Sequence, residues 1–479
     1  MRYTSNSRYT SLRSELLNPI AALRSKSKTA DRPRGESTRS YRNLLLCAAL
    51  AFAMIGTPPI HPTRFAAEAS PVSMDIKEAI ELTLRDNSSL LSLRQELQKA
   101  AAFKLQADGT MTPELGFNAY IDAQKESQTS DGSSRYDNRV ARLSISQTLY
   151  SGGRNQALRR QSSQVKSIAD LAIIDAENRA IGELFARFYN VLLQELRVET
   201  ERSATTTSEM HLREVTRMSE LGLSNRLEVI RASQQLASNR ANLITAEGLC
   251  DSASISLMNY MAIPPDERRS VTGRLRIIEV LGDRAASLER ALSNRADKSL
   301  LENQVEYQAN QIDIELSSSR PRISLGASAG YLDPYRSRNS GDDTWRAELS
   351  ITVPILDRST TRGNVIRAQA VEEQNKIDLK QKELDIKSGV ETAWIELESA
   401  NNRLESTQSA LELAEETLRL AEVGFQEGVT PQLDLLSAQT SLTESRLEHL
   451  RSLYNHMLAV IALKVTEGDI INWTERMEF

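Results

Sequence analysis

The histidines are the first residues to consider for chemistry, because an imidazole can bind a metal ion or transfer a proton near neutral pH. The chain has His61, His211, His449 and His456. His449 and His456 would share a helix face, but no acidic or cysteine side chain completes a metal-ligand spacing. The sequence also has no phosphate-binding loop or HExxH motif. We therefore expect no enzymatic activity, metal or cofactor. His61 lies in the expected leader, and we interpret His449 and His456 as residues of a helix surface or seam.

A pair of carboxylates is marked out by repetition instead. The segment SELGLSNRLEVIRAS returns about 200 residues later as QEGVTPQLDLLSAQ. Gly222 then matches Gly428, and Glu228 matches Asp434, at an offset of 206 residues. Glycine at these positions predicts the left-handed conformation that ends a helix. The acidic residues that follow would lie in the first turn of the next helix, where the helix dipole favours a negative charge.

The repetition extends through most of the chain. LSIS at 143–146 and LSIT at 349–352 align at the same offset. An internal duplication of this length predicts two structural repeats. We expect a leader and signal peptide at 1–69, a first repeat at 70–282, and a second repeat with a C-terminal tail at 283–479, the two repeats forming one domain.

The N-terminal segment is typical of an export signal. An apolar stretch from Leu44 to Ile55 follows basic residues, and Ala67 and Ala69 give an A-x-A cleavage pattern. A short buried helix is the alternative interpretation. Cys47 lacks the small residues that a lipoprotein signal needs before its cysteine, so we expect no lipidation.

Charge and hydropathy exclude further classes. The net charge of -5 gives no attraction to nucleic acid, and no apolar run reaches the roughly 18 residues of a membrane-spanning helix. With an export signal, this leaves the periplasm, the outer membrane or the medium.

Four segments, 115–123, 139–149, 323–331 and 345–355, alternate apolar and polar residues with period two. Each has about the length that a tilted strand needs to cross a bilayer. A soluble sheet with one wet face would show the same alternation. Four strands cannot close a transmembrane barrel, which needs about eight. Either the strands form an open soluble sheet, or several copies share one barrel, and three copies would give twelve strands.

Each repeat also contains one very long helix, at about 154–220 and 364–427. Apolar and small residues recur at spacings of three and four, as in coiled-coil packing. Helices of this length reach roughly 100 Å, which favours a coiled coil or a helical tube. We expect the order helix, strand, strand, very long helix, turn, long helix in each half, with an irregular connector at 263–284. Ser224 and Thr430 are predicted N-caps of the returning helices, and Pro431 is predicted in the first turn.

The combination resembles the TolC-type outer-membrane efflux protein family over about 73–468. The resemblance rests on the duplicated order of elements, on the tip FQEGVTPQLDLLSAQTSL at 425–442, and on the junction LYSGGRNQA at 149–157. It implies a mainly α-helical, internally duplicated homotrimer. Long helical hairpins would form a trimeric tunnel, topped by a shared 12-stranded β-barrel in outer-membrane lipid, with four strands from each protomer.

The resemblance also implies a function. The trimer would be the passive exit duct of a tripartite efflux or type I secretion system. It would dock onto a periplasmic adaptor (membrane fusion) protein and an inner-membrane pump, which supplies the energy. A structural coiled-coil scaffold in the periplasm is the alternative.

Finally, the resemblance assigns roles to the two tips. Glu228 and Asp434 match acidic residues of the closed entrance, where threefold symmetry would make each a ring of three carboxylates that acts as a gate. The alternative is that both merely favour helix N-termini. The adaptor-docking tips implied by the resemblance are Gly222, Leu223, Ser224, Gly428, Val429, Thr430 and Pro431.

The tip sequence departs from the family pattern at two positions. Ser437 stands where some members carry a second aspartate, and Thr430 stands where some carry an arginine that braces the gate. The double acidic ring and that ionic contact of the family are therefore not carried over to this chain. On spacing alone, Arg226 and Arg231 are candidates to replace the arginine.

Overall fold

The computed structural model describes residues 73–127, 133–264, 267, 269–280, 282–334 and 342–476. The expected leader and signal peptide at 1–69, including Cys47, lie outside these residues. The helices and strands of the described residues follow the chain in this order: β1 (Ser73–Met74), α1 (Ile76–Asp86), α2 (Ser88–Gly109), β2 (Glu114–Ser127), β3 (Ser133–Ser151), α3 (Arg154–Glu220), α4 (Arg226–Tyr260), β4 (Ser270–Val271), α5 (Arg284–Asn294), α6 (Ala296–Leu316), β5 (Arg322–Pro334), β6 (Asp342–Thr352), α7 (Thr360–Gln426), α8 (Gln432–Thr466) and α9 (Ile470–Arg476).

The internal duplication is confirmed by the helices. α3 and α7 each have 67 residues, and α4 and α8 each have 35. Each pair begins and ends at positions 206 residues apart, the offset of the repeated tip sequences. The fold is therefore mainly α-helical and built from two equivalent halves. Among the described helices, none combines the length and apolar character needed to cross a bilayer.

The start of α7 differs from the sequence prediction. The helix begins at Thr360 rather than near residue 364, because Asp357 stabilises its start. The Asp357 carboxylate accepts hydrogen bonds from the backbone amides of Ser359 (3.0 Å) and Thr361 (2.9 Å). The chain enters the helix through left-handed conformations at Arg358 and Ser359.

The single helix expected before the strands is two helices in each repeat. Asn87 separates α1 from α2 in an extended conformation, and its side-chain oxygen accepts the amides of Ser89 and Leu90. Its amide donates to the carbonyl of Tyr260 at 3.0 Å, which ties the break to the end of α4. Arg295 makes the equivalent break between α5 and α6.

The helices form a layer with a different composition at each end. Next to the strands, α2 packs on α3, α3 on α6, and α6 on α7. Towards the tips, α4 packs on α3, α3 on α8, and α8 on α7. The two 67-residue helices thus run through both ends of the layer, with α7 at one edge and α2 and α4 at the other.

The main hydrophobic core lies where α1, α9 and the connector pack on the long helices. Phe185 and Phe188 of α3, Leu257 of α4 and Met457 of α8 are buried there. The connector is irregular over its described residues, as predicted, except that β4 pairs with β1 in parallel.

β2, β3, β5 and β6 form one antiparallel sheet in the order β2-β3-β5-β6. The predicted strands are confirmed in place and are mostly longer than expected, but one boundary was wrong. β6 ends at Thr352, not 355, since Pro354 has no amide hydrogen to continue the ladder. A bulge after Thr148 shifts the register, so that Tyr150 lies opposite Ile323.

A buried carboxylate joins the end of α8 to α5. Glu467 is fully buried and accepts hydrogen bonds from Ser287 (2.6 Å), Arg290 (2.6 Å) and Lys464 (2.8 Å). Burial alone would raise the pKa of Glu467, but the hydrogen bonds from Arg290, Lys464 and Ser287 outweigh it and hold the pKa below its ordinary value.

We expect Glu467→Gln to destabilise the fold by about 3 kcal/mol, because it leaves Lys464 and Arg290 without their buried partner. Guanidinium unfolding of the full chain in detergent would measure the difference. The exposed Glu405→Gln is the control, with an expected change within about 0.5 kcal/mol. Because the pKa of Glu467 is lower in the folded state, its stabilisation is complete above the ordinary glutamate pKa and is lost as the pH falls. The two proteins should therefore converge in acid, and a constant difference would contradict this role.

Candidate functional site at the hairpin tips

Both tip turns have the same backbone geometry. Gly222 and Gly428 adopt φ angles of 76° and 74°, the left-handed conformation predicted from the sequence. The Leu223 amide donates to the Met218 carbonyl in the first turn, at 2.8 Å. The Val429 amide donates to the Gly424 carbonyl in the second turn, also at 2.8 Å. This is the Schellman ending of a helix. Leu223 and Val429 are thereby placed at equivalent points of the two turns.

The first tip has a different N-cap from the one predicted. Asn225, not Ser224, caps α4: its side-chain oxygen accepts the Glu228 amide at 3.0 Å, and its Nδ2 donates to Glu228 Oε1 at 3.0 Å. This reciprocal pair is a variant of the capping box, in which the side-chain amide of the N-cap residue, not its backbone amide, donates to the glutamate. The Ser224 hydroxyl donates to the other Glu228 oxygen. Two side chains therefore hold the Glu228 carboxylate at the start of its own helix.

The second tip is built without a side-chain cap. Pro431, predicted in the first turn of α8, occupies the N-cap position, and Thr430 precedes it. The Thr430 amide donates to the carbonyl of Gly424 at 3.0 Å. A side chain on Gly424 would collide with the Thr430 hydroxyl unless Thr430 moved. Asp434 lies exposed in the first turn of α8, and its carboxylate accepts no hydrogen bond from the described residues. The two predicted gate carboxylates thus differ in their surroundings.

Apolar side chains project from both tips. Leu223 is 76% exposed and Val429 is 78% exposed, and the equivalent pair Leu227 and Leu433 is also exposed. Exposed apolar patches of this kind mark interaction sites. We call these four side chains the tip patch.

A buried polar contact joins the two hairpins just behind the tip patch. Gln432, at the start of α8, is 6% exposed, and His211 of α3 is 5% exposed. Gln432 Nε2 donates to the backbone carbonyl of Glu228 at 3.0 Å and lies 3.3 Å from His211 Nε2. The ring of Phe425, near the end of α7, meets the His211 ring edge to face at 5.6 Å between centroids. We call this contact of α3, α4, α7 and α8 the tip joint.

Burial lowers the pKa of His211, an effect that the nearby Glu214 carboxylate partly offsets. Burial of His211 therefore favours its neutral form. The other described histidines are part of the helix packing. His456 is buried, with Nδ1 2.8 Å from Asn401 Oδ1, and its Nε2 accepts the Ile278 amide at 3.2 Å.

The tip joint was missed in the sequence, although a signal for it exists. Seam residues of α3 were identified only as far as Val191, yet the spacing of three and four continues through buried polar residues to His211. These are Glu201, Thr205, Ser208 and His211. Nothing in the local sequence of Gln432 marks it as the partner.

Comparison with known proteins identifies the family. The sequence profile of the outer membrane efflux protein family matches residues 79–262 and 287–468, one match in each repeat. The chain belongs to the outer membrane efflux protein family. No curated protein sequence matches the chain.

Solved structures confirm the outer membrane efflux protein fold. The chain is similar to the outer membrane protein VceC of Vibrio cholerae (TM-score 0.71, 19% identity, covering 82% of this chain and 96% of VceC). It is also similar to the Campylobacter jejuni outer membrane channel CmeC (TM-score 0.73, 14% identity, 84% and 88% covered). The open state of the Neisseria gonorrhoeae channel MtrE gives a TM-score of 0.68 at 18% identity, with 82% and 88% covered.

Proposed function

We propose that three copies of this outer membrane efflux protein assemble into the exit duct of a tripartite efflux or type I secretion system. The duct is passive: an inner-membrane pump supplies the energy and a periplasmic adaptor joins the two. The two repeats, 70–282 and 283–479, form one domain, and the segment at 1–69 directs export. The observation that carries this proposal is that, within the described residues, the sheet ends in two unpaired edge strands and the helical layer ends in exposed apolar residues.

The sheet supports closure by several copies. β2 and β6 are its edges, and each is more than ten residues long. Long uncovered edges favour pairing with another chain. β2 and β6 run antiparallel to each other, so β6 of one copy can extend the ladder onto β2 of the next. Three copies then give twelve strands, above the minimum for a transmembrane barrel.

The two faces of the sheet suit lipid outside and water inside. Cross-strand register brings the apolar residues together on one face, which is exposed in the protomer. This face carries Leu115, Phe117, Leu143, Ile145, Trp345, Leu349 and Ile351. The other face carries Arg142, Ser144, Ser328 and Arg346 in register. Outer-membrane lipid would cover the first face, and the lumen would wet the second.

The helical layer ends in the same way. One face of α7 carries exposed apolar residues separated by 7, 11 or 18 positions, which places them on one line along a helix. This α7 edge stripe consists of Ile366, Ile377, Leu384, Ile395, Leu413 and Leu420. The opposite edge of the layer also exposes apolar residues, namely Leu91 and Leu105 on α2 and Ile230, Ile244 and Ile255 on α4. Packing the stripe of one copy on α2 and α4 of the next closes a twelve-helix tunnel.

The tips would form the entrance and the docking surface. The adaptor would contact the tip patch and the turns that present it, 222–224 and 428–431. Threefold symmetry would arrange the exposed Asp434 as a ring of three carboxylates that attracts cations and narrows the closed entrance. Glu228 would form a second ring, weakened as a gate by its bonds to Ser224 and Asn225.

We expect Glu228→Ala with Asp434→Ala to raise the single-channel conductance several-fold in planar bilayers, with most of the gain from Asp434→Ala. The reason is that Asp434 faces solvent, whereas the side chains of Ser224 and Asn225 hold the Glu228 carboxylate. Glu427→Ala, an exposed carboxylate beside the same tip, is the matched control and should conduct like the parent. Unchanged conductance in the double variant would remove the gate assignment.

The function itself is tested by reconstituting the purified parent protein in planar bilayers. A duct gives discrete conductance steps in planar bilayers, and the protein co-fractionates with outer membranes. A coiled-coil scaffold would stay in solution without detergent and give no conductance, and that result would contradict the proposal.

A further inference from the structure

We propose that the tip joint is a proton-sensitive contact: protonation of His211 separates the start of α8 from the tip of the other hairpin. The separation is a property of the protomer. That it also widens the entrance rests on the proposed function.

Hydrogen-bond geometry fixes the orientation of the Gln432 amide. A backbone carbonyl can only accept, so the group that faces the Glu228 carbonyl at 3.0 Å must be the Nε2 amide. The same nitrogen lies 3.3 Å from His211 Nε2, which must therefore accept and carry no hydrogen. The joint is satisfied only by neutral His211 with its proton on Nδ1.

Protonation would place a hydrogen on His211 Nε2 and set two donors against each other. Rotating the Gln432 amide would relieve this clash, because Oε1 could then accept from the imidazolium. That rotation breaks the bond to the Glu228 carbonyl and places an oxygen against an oxygen. Among the described residues, the buried Gln432 Oε1 already has no hydrogen-bond partner, so the joint offers no other acceptor or donor to compensate for a broken bond. No orientation of this amide satisfies both neighbours of a charged His211.

The groups that pack on His211 do not stabilise its charged form enough to prevent this. On α3 the nearest carboxylate is Glu214, which raises the pKa of His211, but burial lowers it more. On α4 the Glu228 carboxylate is turned to Ser224 and Asn225. From α7 and α8 the imidazole meets Phe425 and Gln432, which carry no charge.

The sign of the effect follows from linkage. The joined state binds a proton at His211 less readily than a separated state in which the imidazole meets water. The joint is therefore intact above the ordinary histidine pKa and weakens as the pH falls below it. Each unit of difference in pKa between the two states shifts the joined-to-separated ratio about tenfold.

Hydrogen exchange tests the joint whether or not the protein conducts. Backbone amides near the start of α8, at 432–438, are compared at pH 7.5 and pH 5.0 in the full-length protein, after correction for intrinsic exchange. The parent should exchange faster at pH 5.0. His211→Gln keeps an uncharged acceptor and should lose this dependence, while His449→Gln, a half-buried histidine of α8 away from the tip, should retain it. Gln432→Ala should exchange at pH 7.5 as the parent does at pH 5.0.

Two results would overturn the proposal: corrected exchange in the parent that does not change with pH, or a pH dependence that survives in His211→Gln. Planar bilayers then separate this from the proposed function. If the parent shows the pH-dependent hydrogen exchange but gives no conductance, the proposed duct function is contradicted and the proton-sensitive tip joint is still supported. If the parent conducts but its hydrogen exchange does not depend on pH, only the proton-sensitive tip joint is contradicted.

Discussion

Replacing Ile377, Leu384 and Ile395 together with aspartate should abolish the trimer. All three lie on the α7 edge stripe and are more than half exposed in the protomer, so the folded protomer tolerates the change. In the trimer they would be buried against the next copy, and each unpaired carboxylate there would cost several kcal/mol. Light scattering of the detergent-purified protein should give the mass of one protomer. Asp385→Lys, an exposed position roughly a quarter of a turn around the same helix from the stripe, is the control and should remain trimeric.

A triple variant that keeps the mass of the parent would show that the α7 edge stripe does not face another copy. Retained helicity by circular dichroism distinguishes loss of assembly from loss of folding. The stripe would then need another explanation, since exposed apolar lines of this length are uncommon on soluble surfaces.

Leu223→Asp with Val429→Asp should eliminate binding of the periplasmic adaptor. Both side chains are more than three-quarters exposed, so the cost falls on the complex and not on the fold. Burying two carboxylates per protomer in an apolar interface, repeated three times around the ring, outweighs the free energy of an ordinary complex. The measurement is chemical cross-linking in cells, with affinity purification of the tagged protein and identification of its partners by mass spectrometry.

Ile277→Asp, an exposed apolar position of the connector, is the control for the tip variant. It should capture the same partners as the parent. If the tip variant retained the adaptor while the connector variant lost it, docking would lie on the connector.

The sequence predicts the large features of this fold because local rules determine them. Gly152 and Gly153 precede α3, Gly222 follows α3 and Gly428 follows α7, and all four adopt positive φ angles. Within each of these two helices the helical periodicity is uninterrupted. Strand alternation identified the apolar face correctly, because the side-chain period of two leaves only two choices.

Details that depend on competition between neighbours were missed. Ser224 and Asn225 are both good N-caps, and only the bonds from Asn225 to Glu228 decide between them. The bulge beside Leu149 leaves no mark in the alternation, since the register shift occurs near the strand end. The tip joint depends on packing between two hairpins distant in sequence: the seam spacing of α3 reaches His211, but no local pattern marks Gln432 as its partner.

The central claim is that one protomer cannot close either its sheet or its helical layer, so that three copies share both. The most direct measurement is the molar mass of the unmodified protein extracted from outer membranes in mild detergent, determined by light scattering with the detergent contribution subtracted. We expect a molar mass equal to that of three protomers. A single protomer that remains monodisperse in water without detergent would contradict it.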